Sequence, residues 1–64
     1  MYVLVVENHG NSGYRLITSK RESSDGDVVL QQFHIRPSDI EDSIAQWEKV
    51  YFDVEHRVER KDVV

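Results

Sequence analysis

Apolar and polar positions follow one rhythm in the first half of the chain and another in the second. Residues 2–7, YVLVVE, are β-branched and aromatic on both parities, the pattern of a central strand with both faces apolar. In YRLITSK, residues 14–20, Tyr14, Leu16 and Thr18 fall on one face of a second strand. VVLQQFHI, residues 28–35, makes the third. NHGNSG (8–13) joins the first two, its glycines suited to positive φ, and RESSDGD (21–27) joins the next two through an Asp25-Gly26 turn pair. Connections this short pair neighbours antiparallel, because parallel strands need a crossover of about a dozen residues. The expected sheet is a three-stranded meander.

Beyond Pro37 the period changes. SDIE (38–41) is a capping box in which Ser38 accepts from the Glu41 amide and the Glu41 carboxylate reaches back to the Ser38 amide. Apolar positions then run 40, 44, 47, 51, 54 and 58, with no Gly, Pro or Asn after Ser38. That stripe predicts a helix over 38–58, about 31 Å long at 1.5 Å per residue. A strand of about seven residues spans only about 24 Å. The last turns therefore overhang the sheet, and Val54 and Val58 become candidates for a dimer contact. The fold class is α+β: a three-stranded antiparallel meander followed by one C-terminal helix packed on it, βββα. Residues 50–58 also read as a fourth strand, because Val50, Phe52, Val54, His56 and Val58 alternate with polar side chains. The alternative plan is βββαβ. A continuous helix leaves Phe52 exposed, roughly 120° from the stripe, whereas a strand buries it and exposes Tyr51.

Sixty-four residues make one domain, 1–64. A chain this short buries about 60% of its unfolded surface, so its core is thin and self-association is a natural compensation. Cysteine is absent, which excludes disulfides and thiolate metal sites. No apolar run approaches the roughly 20 residues of a membrane span. MYVLVVE also lacks the basic flank and cleavage site of a signal peptide, so the expectation is a soluble cytoplasmic protein. The net charge of −4 is uneven: residues 1–36 hold four acids and four bases, and residues 37–64 hold eight acids and four bases. Such an acidic half repels nucleic acid and anionic membranes and attracts basic proteins.

Catalytic chemistry finds no motif. His9, His34 and His56 lack metal-ligand spacing. Ser12 in GNSG sits one residue off a nucleophile elbow, no phosphate loop is present, and DGD (25–27) lacks the acids of a calcium loop. The expectation is no enzyme activity and no cofactor. Tyr2, Tyr14 and Phe33 could stack bases beside Arg15, Lys20, Arg21 and Arg36, but the neutral balance of that half argues against direct nucleic-acid binding. The acidic half offers more. Asp39, Asp42 and Asp53 line one flank of the expected helix and Glu41, Glu48 and Glu55 the other, with Val50, Tyr51 and Phe52 as apolar anchors. These residues describe a small acidic, non-catalytic protein-binding module whose partner has a basic surface. In size and charge alone the chain looks like the small inhibitors that phages and other mobile elements direct at host polymerases, nucleases or defence systems. The alternative is a small homodimeric regulatory or nucleic-acid-associated protein that uses its sheet face or helix stripe.

Overall fold

A computed structural model describes residues 1–22 and 26–64, so Asp25 of the expected turn lies outside the described residues. The elements are β1 (Tyr2–Asn8), β2 (Tyr14–Glu22), β3 (Gly26–Ile35), α1 (Ile40–Val50) and β4 (His56–Asp62). One-turn 3-10 segments at Gly10–Ser12 and Pro37–Asp39 link β1 to β2 and β3 to α1. The sheet order is β3-β2-β1-β4, with β4 parallel to β1 and the other pairs antiparallel. The class is α+β and the meander forms as its short connections require. The sheet also carries the fourth strand of the alternative plan, but at 56–62 rather than 50–58.

The helix stops at Val50 with no Gly or Pro to stop it. The Tyr51 amide still donates to the Trp47 carbonyl (3.1 Å), and then Val54 turns back onto the Tyr51 carbonyl (3.3 Å). Residues 50–54 are β-branched, aromatic or Asp, all weak helix formers. The stronger pull is non-local. β1 is apolar on both faces and needs a hydrogen-bonded neighbour on each edge, and β4 supplies the second, from Tyr2↔His56 to Asn8↔Asp62. The overhang expected of Val54 and Val58 therefore does not occur. Val58 pairs with Leu4 and packs against the core of Leu4, Val6, Leu16, Ile40 and Ile44.

The helix start also differs from the expected capping box. Ser38 lies within the 3-10 turn, and Asp39 is the N-cap with no side-chain hydrogen bond. The Glu41 carboxylate instead accepts from Arg60 on β4 at 3.1 and 3.2 Å. That pair holds the helix to the sheet edge, and it draws Glu41 below the usual carboxylate range through the Arg60 hydrogen bonds and charge.

The face of the sheet away from α1 is laced with charge. Arg21 on β2 donates to both oxygens of Asp27 on β3 (2.7 and 3.0 Å) and, reaching over β1, to Glu59 on β4 (2.8 and 3.2 Å). Glu7 on β1 accepts from Arg15 on β2 (2.9 Å) and bonds His9 (3.0 Å), with Lys61 on β4 at 3.5 Å. Val3 and Ser19 lie buried on this face, where no second layer of secondary structure is present among the described residues. The aliphatic stems of such long side chains cover apolar surface while their charged ends stay wet.

Candidate functional site

The position of α1 decides which surface is left open. Trp47 Nε1 donates to Thr18 Oγ1 on β2 (3.0 Å), and Glu41 holds Arg60 on β4, so the helix sits over β2, β1 and β4. β3 is left uncovered and is exposed at every position except Ile35. Between the helix and that strand runs a groove of about 350 Å³. Leu4 and Leu16 form its floor, Gln31 and Phe33 one wall, and Gln46, Trp47 and Val50 the other. Phe33 is 56% exposed and Val50 72%, so both lips of the groove present apolar surface to solvent.

At the end of the helix an aromatic cluster forms. Tyr51 stacks on Trp47 with ring centres 4.3 Å apart and tilts against Tyr2 at 5.0 Å, while His56 meets the Trp47 ring edge-on at 5.8 Å. Tyr51 is thus half-buried and Phe52 is 79% exposed. Neither condition set out for Phe52 holds: it is exposed because it lies in the turn after the helix, not on a continuing helix, and the strand begins too late to bury it. It borders a shallow depression with Ala45, Glu48 and Lys49.

The six acids divide. Glu41 is held by Arg60, and Asp39 lies 3.4 Å from Arg36. Asp42, Glu48, Asp53 and Glu55 are exposed and have no ion-pair partner among the described residues. Glu55 also leaves the ridge. It lines a depression with Met1, Arg21 and Glu22, and its carbonyl accepts the Tyr2 amide at 3.0 Å. The carboxylates that remain are Asp42, Glu48 and Asp53, on the helix and the turn after it; none of them lines the groove, and Glu48 lies on the Arg60 flank of the helix, where it borders the Phe52 depression.

The histidines, Ser12 and the rings considered from the sequence are dispersed over the structure. No three His, Asp or Glu side chains are grouped to hold a metal ion there. His9 bonds Glu7, His34 is exposed on β3, and His56 Nδ1 lies 2.9 Å from the Val54 carbonyl. Ser12 sits in the 3-10 turn between β1 and β2. Tyr14 packs on the core and Tyr2 on Tyr51, which leaves Phe33 as the exposed ring of the three considered for base stacking. Arg15 and Arg21 are engaged with Glu7, Asp27 and Glu59. Among the described residues no helix is long and apolar enough to cross a membrane.

The open groove and the bare β3 strand are the surface that the charge pattern alone did not point to. Their signal is nonetheless present: residues 28–33, VVLQQF, carry no charge. The arrangement defines a small α+β protein whose described residues form a mixed sheet and one covering α-helix. No family model matches the chain, and neither does any curated protein or solved structure.

Proposed function

We propose that this chain is a non-catalytic protein-binding module. Its partner seats an apolar side chain in the groove between β3 and α1 and lays a basic surface along Asp42, Glu48 and Asp53. The observation that carries this reading is the groove itself, with core residues at its floor and Phe33 and Val50 on its lips; the carboxylates lie outside it on the helix and the following turn. Fully burying a side chain such as Phe or Val is worth about 1.5–3 kcal/mol each, so two such lips and Phe52 supply a useful anchor. The carboxylates contribute mainly orientation and association rate. A nucleic-acid-handling enzyme has the basic channel that such carboxylates suit, and inhibition or modulation of such an enzyme is the role we propose.

The test is capture from cell extract by the tagged protein. Wild type retains a partner, Phe33→Ala/Val50→Ala loses it, and Asp42→Lys/Glu48→Lys weakens it most at low salt. All the altered positions are exposed or half-exposed, so circular dichroism of the variants matches wild type. A capture pattern identical in all three proteins removes the reading.

A further inference from the structure

The two edges of the sheet are built differently. The outer strand β4, HRVERKD, carries Arg57, Glu59, Arg60, Lys61 and Asp62 among its seven residues. Charge of that density blocks strand-to-strand pairing. The other outer strand, β3, is ten residues long and has no charged residue between Asp27 and Arg36. Its Val28, Val29, Leu30 and Phe33 are 48–57% exposed. A long, uncharged, apolar edge is the kind that pairs with another strand.

We infer that β3 is the interface of a symmetric homodimer, in which the β3 strands of two copies pair antiparallel into one eight-stranded sheet. Charge selects a second copy as the occupant. A chain of net charge −4 meets itself only where its acids are distant. In this arrangement five strand spacings of about 4.8 Å separate the two β1 strands, so the two acidic helices stand roughly 24 Å apart, about three Debye lengths at physiological salt. The charged β4 edges face outward, which closes the assembly at two.

The bulge in β3 favours one register. Thr18 pairs with Gln31 and Ser19 with Val29, leaving Leu30 as the extra residue. Val28 and Phe33 consequently lie opposite Lys20 and Leu16, positions of one parity on β2, so they share a sheet face and a hydrogen-bonding direction although they are five residues apart. Val29 and Gln32, opposite Ser19 and Ile17, share the other face. A twofold axis between Leu30 and Gln31 then sets Val28 against Phe33, Val29 against Gln32 and Asp27 against His34, with faces matched on both sides of the bulge. Registers centred on one side of the bulge also match faces, but only over the five residues or fewer on that side, 31–35 or 26–29. The register with the bulge at the axis is the one that pairs the full length of β3, from Gly26 against Ile35, with faces matched. Edge-to-edge contact covers less than the roughly 1,200 Å² of a standard stable interface. The dimer is therefore a concentration-dependent one in the micromolar range.

The purified full chain tests this by sedimentation velocity from low micromolar to near-millimolar concentration. Wild type shifts from one 7.5 kDa chain to two across that range. Val29→Lys/Gln32→Lys, which sets lysines against lysines on the face away from the groove, remains a monomer. Val29→Lys/Gln32→Glu, which sets each lysine against a glutamate of the other copy, dimerises again. A wild type that stays monomeric throughout overturns the inference, as does a dimer that the double-lysine variant leaves intact. Neither substituted position lines the groove, so partner capture and self-association succeed or fail independently.

Discussion

Replacing Glu7 by glutamine removes the one carboxylate on which a histidine, an arginine and a lysine from two neighbouring strands and a loop converge. Glu7 is 8% exposed, and its hydrogen bonds to His9 and Arg15, together with the Arg15 charge and Lys61, outweigh the cost of burial and lower its pKa from an ordinary 4.5 to about 2. At about 1.36 kcal/mol per tenfold change in the proton equilibrium, that difference corresponds to roughly 3 kcal/mol. Arg15 and Lys61 are themselves 41% and 61% exposed. Solvent screening of those partners trims the figure to about 2 kcal/mol. Because the folded pKa is depressed, the contribution is fully present above pH 4.5 and is lost as pH falls toward 2. Folded domains have about 0.05–0.15 kcal/mol of stability per residue, so this one group is a large share of the total. Urea unfolding followed by circular dichroism should place Glu7→Gln about 2 kcal/mol below wild type at pH 7. The gap should narrow between pH 4.5 and 2.5, as wild type loses stability that the variant never had. Asp27, Glu41 and Glu59, also lowered by their arginine partners, act in both proteins and cancel in the difference. A gap that is absent at pH 7, or constant down to pH 2.5, would refute the assignment of the Glu7 cluster as a stabilising centre.

Three further outcomes follow from the packing. Tyr51→Ala removes a ring stacked between Trp47 and Tyr2 and should cost about 2–3 kcal/mol in urea unfolding, whereas Phe52→Ala should fall within about 0.5 kcal/mol of wild type. Gly13→Ala places a Cβ 2.9 Å from the Ile35 carbonyl at φ +91°, and its thermal midpoint should drop more than that of any exposed strand substitution. Arg21→Ala cuts the strut from β3 to β4 and should raise amide hydrogen exchange in β4 more than in β2.

The sequence makes the first three strands readable because each is bounded by turn residues and carries its own alternation. The helix start is readable within two residues, although the capping box is diverted by Arg60, a partner 19 residues away. The end of α1 is the instructive failure. Ile40, Ile44, Trp47 and Tyr51 belong to a real helical stripe, while Val54 and Val58 extend its spacing by coincidence from a turn and a strand. Local period could not separate them, but β1 could. A strand read as central cannot sit at the end of a three-stranded meander, so YVLVVE already called for a fourth strand beside it. Of the candidate site, the exposure of Val50 and Phe52 and the carboxylates of Asp42, Glu48 and Asp53 follow from helix and turn positions. The groove did not, because it depends on which strands the helix covers, and that is set by Trp47 with Thr18 and by Glu41 with Arg60.

The parallel pairing of β1 with β4 also governs how the chain folds. Every partner pair in that ladder is 54 residues apart, from 2 and 56 to 8 and 62. Hairpins such as β1–β2 form in about 1–10 μs. Closing a loop of this length costs roughly 3.5 kcal/mol of chain entropy before any contact compensates it. Docking of β4 is therefore the slow event, and until it happens the far edge of YVLVV stands bare. Refolding yield, more than the stability of the finished protein, will limit the concentration at which this chain can be handled, because that edge is the first surface two unfinished copies offer each other.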